Sequence, residues 1–168
     1  MQGFLALAAV LPRYGAMKNS GAVIYAALLV LLLCFIWGQS ILPRSVSAKE
    51  SSYVMNVLKP IFDPLDRVDD AVFHHYLRKA AHFSEYAALG ICAYGFLLRI
   101  GQMRRRVFPL PDAAAFCITV AAIDECIQMF SDGRGAQLRD VLLDFCGALF
   151  GMAVFALAAA LFGKKQRS

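Results

Sequence analysis

The chain has 168 residues, 60% of them hydrophobic and 17% charged, with a formal net charge of +5 and a mean hydropathy of +0.58. A soluble domain carries about a quarter charged residues and does not gather its apolar ones into blocks of about 20, so an ordinary soluble domain is excluded and a bilayer is implied. The basic residues sit at the ends of apolar blocks with no aromatic-interleaved stripe, which reads as membrane orientation and predicts no nucleic-acid partner.

Residues 1–20 read as a cytoplasmic amino-terminal extension. Met1–Leu11 is apolar but too short to span, and no basic segment precedes it as in a signal peptide. Met17-Lys18-Asn19-Ser20 looks like a natural start, which makes residues 1–16 an ill-defined extension or a mis-called beginning. The first span is expected over Gly21–Ile41. In the long connection Leu42–Arg78, Ser47 and Glu50 have capping-box spacing and predict a short helix. Pro60 and Pro64 then interrupt the chain, and Leu65–Leu77 has the periodicity of a short amphipathic surface helix. Further spans are expected over Lys79–Ile100, Ala113–Phe130 and Val141–Phe162.

The predicted fold class is therefore all-α, a polytopic bundle of about four transmembrane helices over residues 21–163 with a basic tail at 164–168. Arg13 and Lys18, then Arg99 and Arg104–Arg106, then Lys164, Lys165 and Arg167 are unopposed by acids. Basic short loops stay inside, so both termini are expected in the cytoplasm and the connection 42–78 outside. The cysteines Cys34, Cys92, Cys117, Cys126 and Cys146 lie inside apolar segments without zinc-type spacing and read as small buried packing residues.

Three polar stripes fall near one membrane face. Arg78, Lys79, His82, Glu85 and Tyr86 share one side of the second span. Asp124, Glu125 and Gln128 share a face near the end of the third, extended by Ser131 and Asp132. Asp140, Asp144, Gly147 and Gly151 share a face of the fourth. Ionisable groups in a bilayer turn inward and pair. This predicts one outward polar cavity lined by the second, third and fourth spans, with Lys79, Arg134 and Arg78 at its rim. His82, Glu85, Asp124 and Glu125 are the candidates for acid, base or metal-ligand roles. The cations would suit phosphate or carboxylate. Buried ion pairs fixing helix register use the same residue types. Gly147-x-x-x-Gly151 reads as a close helix contact, and His74 and His75 as interfacial residues. No GxSxG or HExxH signature is present.

RKAAHFSEYAALG at Arg78–Gly90 and DECIQMFSDGRGAQLRDVLLDFCGALFG at Asp124–Gly151 resemble the VanZ-like family of small bacterial membrane proteins. The segment Trp37–Ser47 is also similar, and the resemblance spans roughly residues 22 to 160. It highlights Lys79, His82, Glu85, Tyr86, Asp124, Glu125, Gln128, Arg134, Asp140, Gly147 and Gly151. Asp144 departs from the pattern, since the family usually shows asparagine there. The family is named for a protein that confers teicoplanin resistance. The resemblance thus implies action at the outer membrane face, on membrane lipids, a lipid-linked cell-wall precursor or a lipoglycopeptide. Binding of such an amphipathic ligand and an intramembrane hydrolase or group transferase both remain open, and no cofactor is specified.

Overall fold

The structure, a computed structural model, describes the backbone of residues 2–63, 65–104, 109–131, 135 and 137–165, and the side chains of residues 20–161 within those ranges except 44, 48, 50 and 102–104. Five α-helices and no strand occur among the described residues: α1 (Gln2–Ile41), α2 (Arg44–Phe62), α3 (Asp70–Arg104), α4 (Pro109–Gln128) and α5 (Leu138–Lys165). The expected all-α bundle is present.

Pro43 separates α1 from α2. A proline disfavours helical geometry in the residue before it and fixes its own φ; Pro43 is extended, with φ −55° and ψ 147°. Its carbonyl then accepts the amides of Val46 (3.0 Å) and Ser47 (3.2 Å), which starts α2. The helix therefore begins at Arg44, ahead of the expected cap at Ser47. Ser47 lies inside it, and its carbonyl accepts the Ser51 hydroxyl at 2.6 Å. Pro60 is accommodated in the last turn, and α2 closes at Asp63.

The turn into α3 is built by aspartates. The Asp63 carboxylate accepts the amides of Arg67 (3.0 Å) and Val68 (2.7 Å). Asp66 adopts φ 50°, a left-handed conformation that aspartate tolerates better than most residues. Asp69 accepts the Ala71 amide at 2.8 Å and so caps α3. Lys59, in the last turn of α2, meets Asp66 at 2.5 Å and also Asp70 in the first turn of α3. Each charge sits at the helix end whose dipole favours it.

The expected surface helix at 65–77 forms only from Asp70 onward, and from there it and the expected span at 79–100 are one element. No glycine or proline occurs between Ala71 and Leu89, so nothing stops the helix, and α3 continues for 35 residues. It touches each of the other four helices. Its tightest seam is with α5. A Cβ built on Gly147 would stand 2.5 Å from the Phe83 carbonyl oxygen, and one on Gly151 would collide with that of Ala87. On the opposite side of the seam, a Cβ on Gly90 would collide with the Ala148 carbonyl. Both pairings advance by four residues, so α3 and α5 run parallel. Gly95 packs under the Tyr25 ring while Gly21 meets Arg99, so α1 runs antiparallel to α3.

Three helices hold segments long and apolar enough to cross a membrane: Ser20–Ile41, Asp70–Gly101 and Leu138–Leu161. Large apolar side chains point outward along them, among them Val23, Leu31, Leu157 and Leu161, each more than 60% exposed. Such surfaces need lipid rather than water, and the chain is a membrane protein. Cys92 and Cys117 are buried as expected, whereas Cys34, Cys126 and Cys146 lie on the outer surface and pack nothing inside.

Two predictions follow from these contacts. Gly147→Ala and Gly151→Ala, which drive a methyl into a facing carbonyl, should each lower stability by about 1–3 kcal/mol. Gly38→Ala, with nothing within 4 Å, should not. Unfolding midpoints in mixed micelles check this, and equal behaviour of the three variants would contradict the seam. The second concerns Asp63, whose carboxyl is held below its usual value of 3.8, first by the Val68 amide and then by that of Arg67. A depressed carboxyl stabilises the fold above its unfolded pKa and loses that contribution as pH falls through its folded pKa. The Val68 and Arg67 amide resonances should therefore titrate with a midpoint below the ordinary aspartate value, and that titration should vanish in Asp63→Asn.

Candidate functional site

The polar residues collect where α1 and α4 end and α5 begins, against the amino-terminal half of α3. Asp124 is fully buried and Asp144, Ser40, Glu125 and Gln128 nearly so. Asp144 lies six residues inside α5, which is about 9 Å at ~1.5 Å rise per residue.

Asp124 is held on both oxygens. The Ser40 hydroxyl donates to Oδ1 at 2.5 Å, and Gln128 Nε2 donates to Oδ2 at 3.0 Å. Gln128 lies one turn beyond Asp124 on α4, which is the spacing that lets their side chains meet. Ser40 closes the arrangement from α1, and its own carbonyl accepts the Ser131 hydroxyl at 2.6 Å. Asp144 differs. Its side chain is 2% exposed and its nearest charged partner, His82 Nδ1, stands 3.9 Å away. Neither of its oxygens accepts a hydrogen bond among the described residues, and the buried Tyr86 hydroxyl has no partner there either. His82, Asp124 and Asp144 each offer a ligand atom, all within 4.8 Å of one another. They are the described residues that could hold a metal.

Other predicted site residues have partners within the protein. Lys79 pairs with Asp140 and ties α3 to α5 at the edge of the cluster, with both side chains about a quarter exposed. Glu125 accepts the Gln137 amide at 2.8 Å, on the strand of chain that leads into α5. Asp140 also sits in the first turn of α5, where its charge suits the helix dipole. Arg134 lies outside the described residues.

Open space also lies beside the cluster. A cleft of about 240 Å³ lies between α1, α2 and α3. Its polar lining is Gln39, Ser47, Ser51, Arg78, His82 and Glu85, and its apolar walls include Phe35, Val54 and Leu77. His82 belongs to both places: it lines the cleft and approaches Asp144. Glu85 lies on the cleft side, within electrostatic range of Asp124. A larger groove of about 360 Å³, between Asn56, Lys59, Pro60, Asp63 and Asp66, is the surface of the α2–α3 turn. Its charged groups are already used by the turn itself.

The stripe analysis found most of the cluster but missed Ser40, Ser51 and Gln39. A signal for Ser40 was present. Leu29, Ile36 and Ser40 are all buried, at spacings of seven and four on one face of α1, so its hydroxyl had to enter the bundle.

Arranged this way, the site can place an imidazole between a partly apolar cleft and two buried carboxylates. That suits proton transfer, cation binding or recognition of an anionic head group. Ser40→Ala removes the donor to Asp124 Oδ1 in a dry environment and should cost about 1–3 kcal/mol. Ser40→Thr, which keeps the hydroxyl, should recover most of that loss in the same unfolding assay; equal losses in the two variants would show that the hydrogen bond contributes nothing.

Comparison with curated proteins and with solved structures gives no match. A family model does match: VanZ/LLP1, over residues 23–159. That range takes in every residue that lines the cleft and the whole buried cluster, and the chain belongs to the VanZ/LLP1 family.

Proposed function

We propose that the protein binds the head group of an amphipathic, lipid-linked ligand in the cleft between α1, α2 and α3, and that it thereby lowers susceptibility to teicoplanin-type lipoglycopeptides. The observation that carries this reading is the composition of the cleft. Arg78 and His82 supply donors on one side while Phe35, Val54 and Leu77 supply an apolar wall. At about 240 Å³ the space fits a phosphate- or carboxylate-sized group with a short apolar stem, not a whole lipoglycopeptide. A ligand anchored in lipid would leave the rest of itself outside the protein.

In this reading α4 is a fourth span. Its 20 residues are about 30 Å long, and its acids Asp124 and Glu125 are buried against the other helices instead of facing lipid. The basic connection at Arg104–Arg106 and the basic tail put both termini in the cytoplasm, so the cleft faces outward from a bacterial cytoplasmic membrane. Family membership supports action in the cell envelope.

A second reading is favoured by one specific feature. His82 joins the cleft to the buried Asp144 and could relay a proton to a bound lipid, as in an intramembrane hydrolase or group transferase acting on an envelope lipid.

The test is teicoplanin and vancomycin susceptibility in a sensitive Gram-positive host, with native protein, Arg78→Gln and His82→Asn at matched membrane levels. Selective teicoplanin protection by the native protein, lost in Arg78→Gln, is the expected result. A charge-assisted contact worth about 1.5–3 kcal/mol corresponds to about ten- to hundred-fold in ligand affinity. Undiminished protection by both variants would rule out the cleft. A His82→Asn protein that still binds envelope lipid but no longer protects would favour the enzyme.

A further inference from the structure

We propose that His82, Asp124 and Asp144 together hold one divalent cation of the zinc or manganese type. The inference concerns the floor beneath the cleft and does not rest on the ligand reading above. It begins with Asp144. This side chain is 2% exposed, yet both of its oxygens accept no hydrogen bond among the described residues. Burying a carboxylate is costly unless a partner compensates it. Among the described residues, Lys79 does not do so, because it is engaged by Asp140. A second carboxylate, Asp124, and an imidazole, His82, offer ligand atoms beside Asp144, with the Tyr86 hydroxyl, Glu85 and Glu125 in electrostatic range.

A divalent ion resolves this arrangement in one step. It cancels the repulsion between two buried carboxylates and supplies the contact that Asp144 lacks. The geometry is close to what such an ion needs. Bonds of about 2.0–2.2 Å place the donors of one ion up to roughly 4.4 Å apart, and the three donor atoms already lie within 4.8 Å. Small side-chain rotations close the difference. Ser40 and Gln128 hold Asp124 from behind, the kind of outer support that orients metal ligands. One imidazole with two carboxylates selects a borderline first-row ion. Calcium prefers an all-oxygen cage of six to eight ligands, and a soft copper(I) ion prefers sulfur. Three protein ligands leave positions open on the His82 side, which is the side of the cleft.

The experiment uses the full chain in detergent micelles, stripped with a chelator and dialysed separately against micromolar Zn²⁺ and Mn²⁺. The wild type should retain one ion per chain. Asp144→Asn and His82→Asn should weaken retention at least about 100-fold, while Asp63→Asn, in the distant α2–α3 turn, should match the wild type. X-ray absorption of the zinc-loaded wild type should show imidazole and oxygen donors without sulfur. No retained ion at millimolar metal overturns the proposal, as does undiminished binding by a folded Asp144→Asn protein. If Asp144→Asn does not elute as a folded species, His82→Asn and the absorption spectrum decide. A shell containing sulfur or lacking imidazole then overturns the site.

Discussion

The close passage of α5 along α3 is the contact from which the rest of the arrangement follows. In lipid there is no hydrophobic force to press helices together, because acyl chains are as apolar as leucine. Association depends on backbones that can approach. Gly147, Gly151 and Gly90 supply that approach by leaving no side chain between the two helices, with the carbonyls of Phe83, Ala87 and Ala148 filling the space. The parallel direction then decides what faces what. Three and four residues before Gly147 and Gly90 in each helix, the same faces carry Asp144 and Tyr86; one turn further back come His82 and Asp140, and two turns back Lys79. A seam closed by glycine against carbonyl thus sets the register of the charged groups above it.

Above the seam, polar groups divide by what they satisfy. Lys79 with Asp140, and Glu125 with the Gln137 amide, close local accounts of charge and hydrogen bonding. Asp124 is fixed by donors from two helices. These groups hold the ends of α3, α4 and α5 in place. Among the described residues, the buried Asp144 carboxylate and Tyr86 hydroxyl gain no comparable support. A bundle selected only for stability would fill such positions with apolar side chains, since an imperfectly compensated carboxylate seldom repays its burial. The contrast within a single cluster lies in which groups are satisfied, not in the number of charges.

The apolar blocks and the three polar stripes were legible in the sequence because each depends on spacing within one helix. The Gly147–Gly151 contact was legible for the same reason. What the sequence obscured depends on relations between elements. The pattern at 65–77 changed from mixed to apolar near Lys79, which looked like a boundary between two helices. The backbone registers no such boundary, because a change of surroundings from water to lipid does not require a break. The Ser47–Glu50 spacing imitated a cap, but Pro43 had already started α2. Ser40 lies in the Trp37–Ser47 segment, but only its partner 84 residues away reveals its part. The cleft between α1, α2 and α3 was not foreseen, because the spacing at Ser47–Glu50 indicates a short helix but not where it packs.

The unbroken length of α3 has a mechanical consequence. At ~1.5 Å per residue its 35 residues measure about 52 Å, while the hydrocarbon slab is about 30 Å thick. Even at a tilt of about 40° the rod spans about 40 Å, so it is longer than the acyl layer. At the end that carries the cluster, its first turns are braced by α2 and pinned through Lys59 to Asp66 and Asp70. The first three turns of α3 therefore form a stiff lever with its foot beside His82. A sideways load on the α2–α3 turn would be passed down one continuous helix into the charged cluster, with no break in the helix between to absorb it.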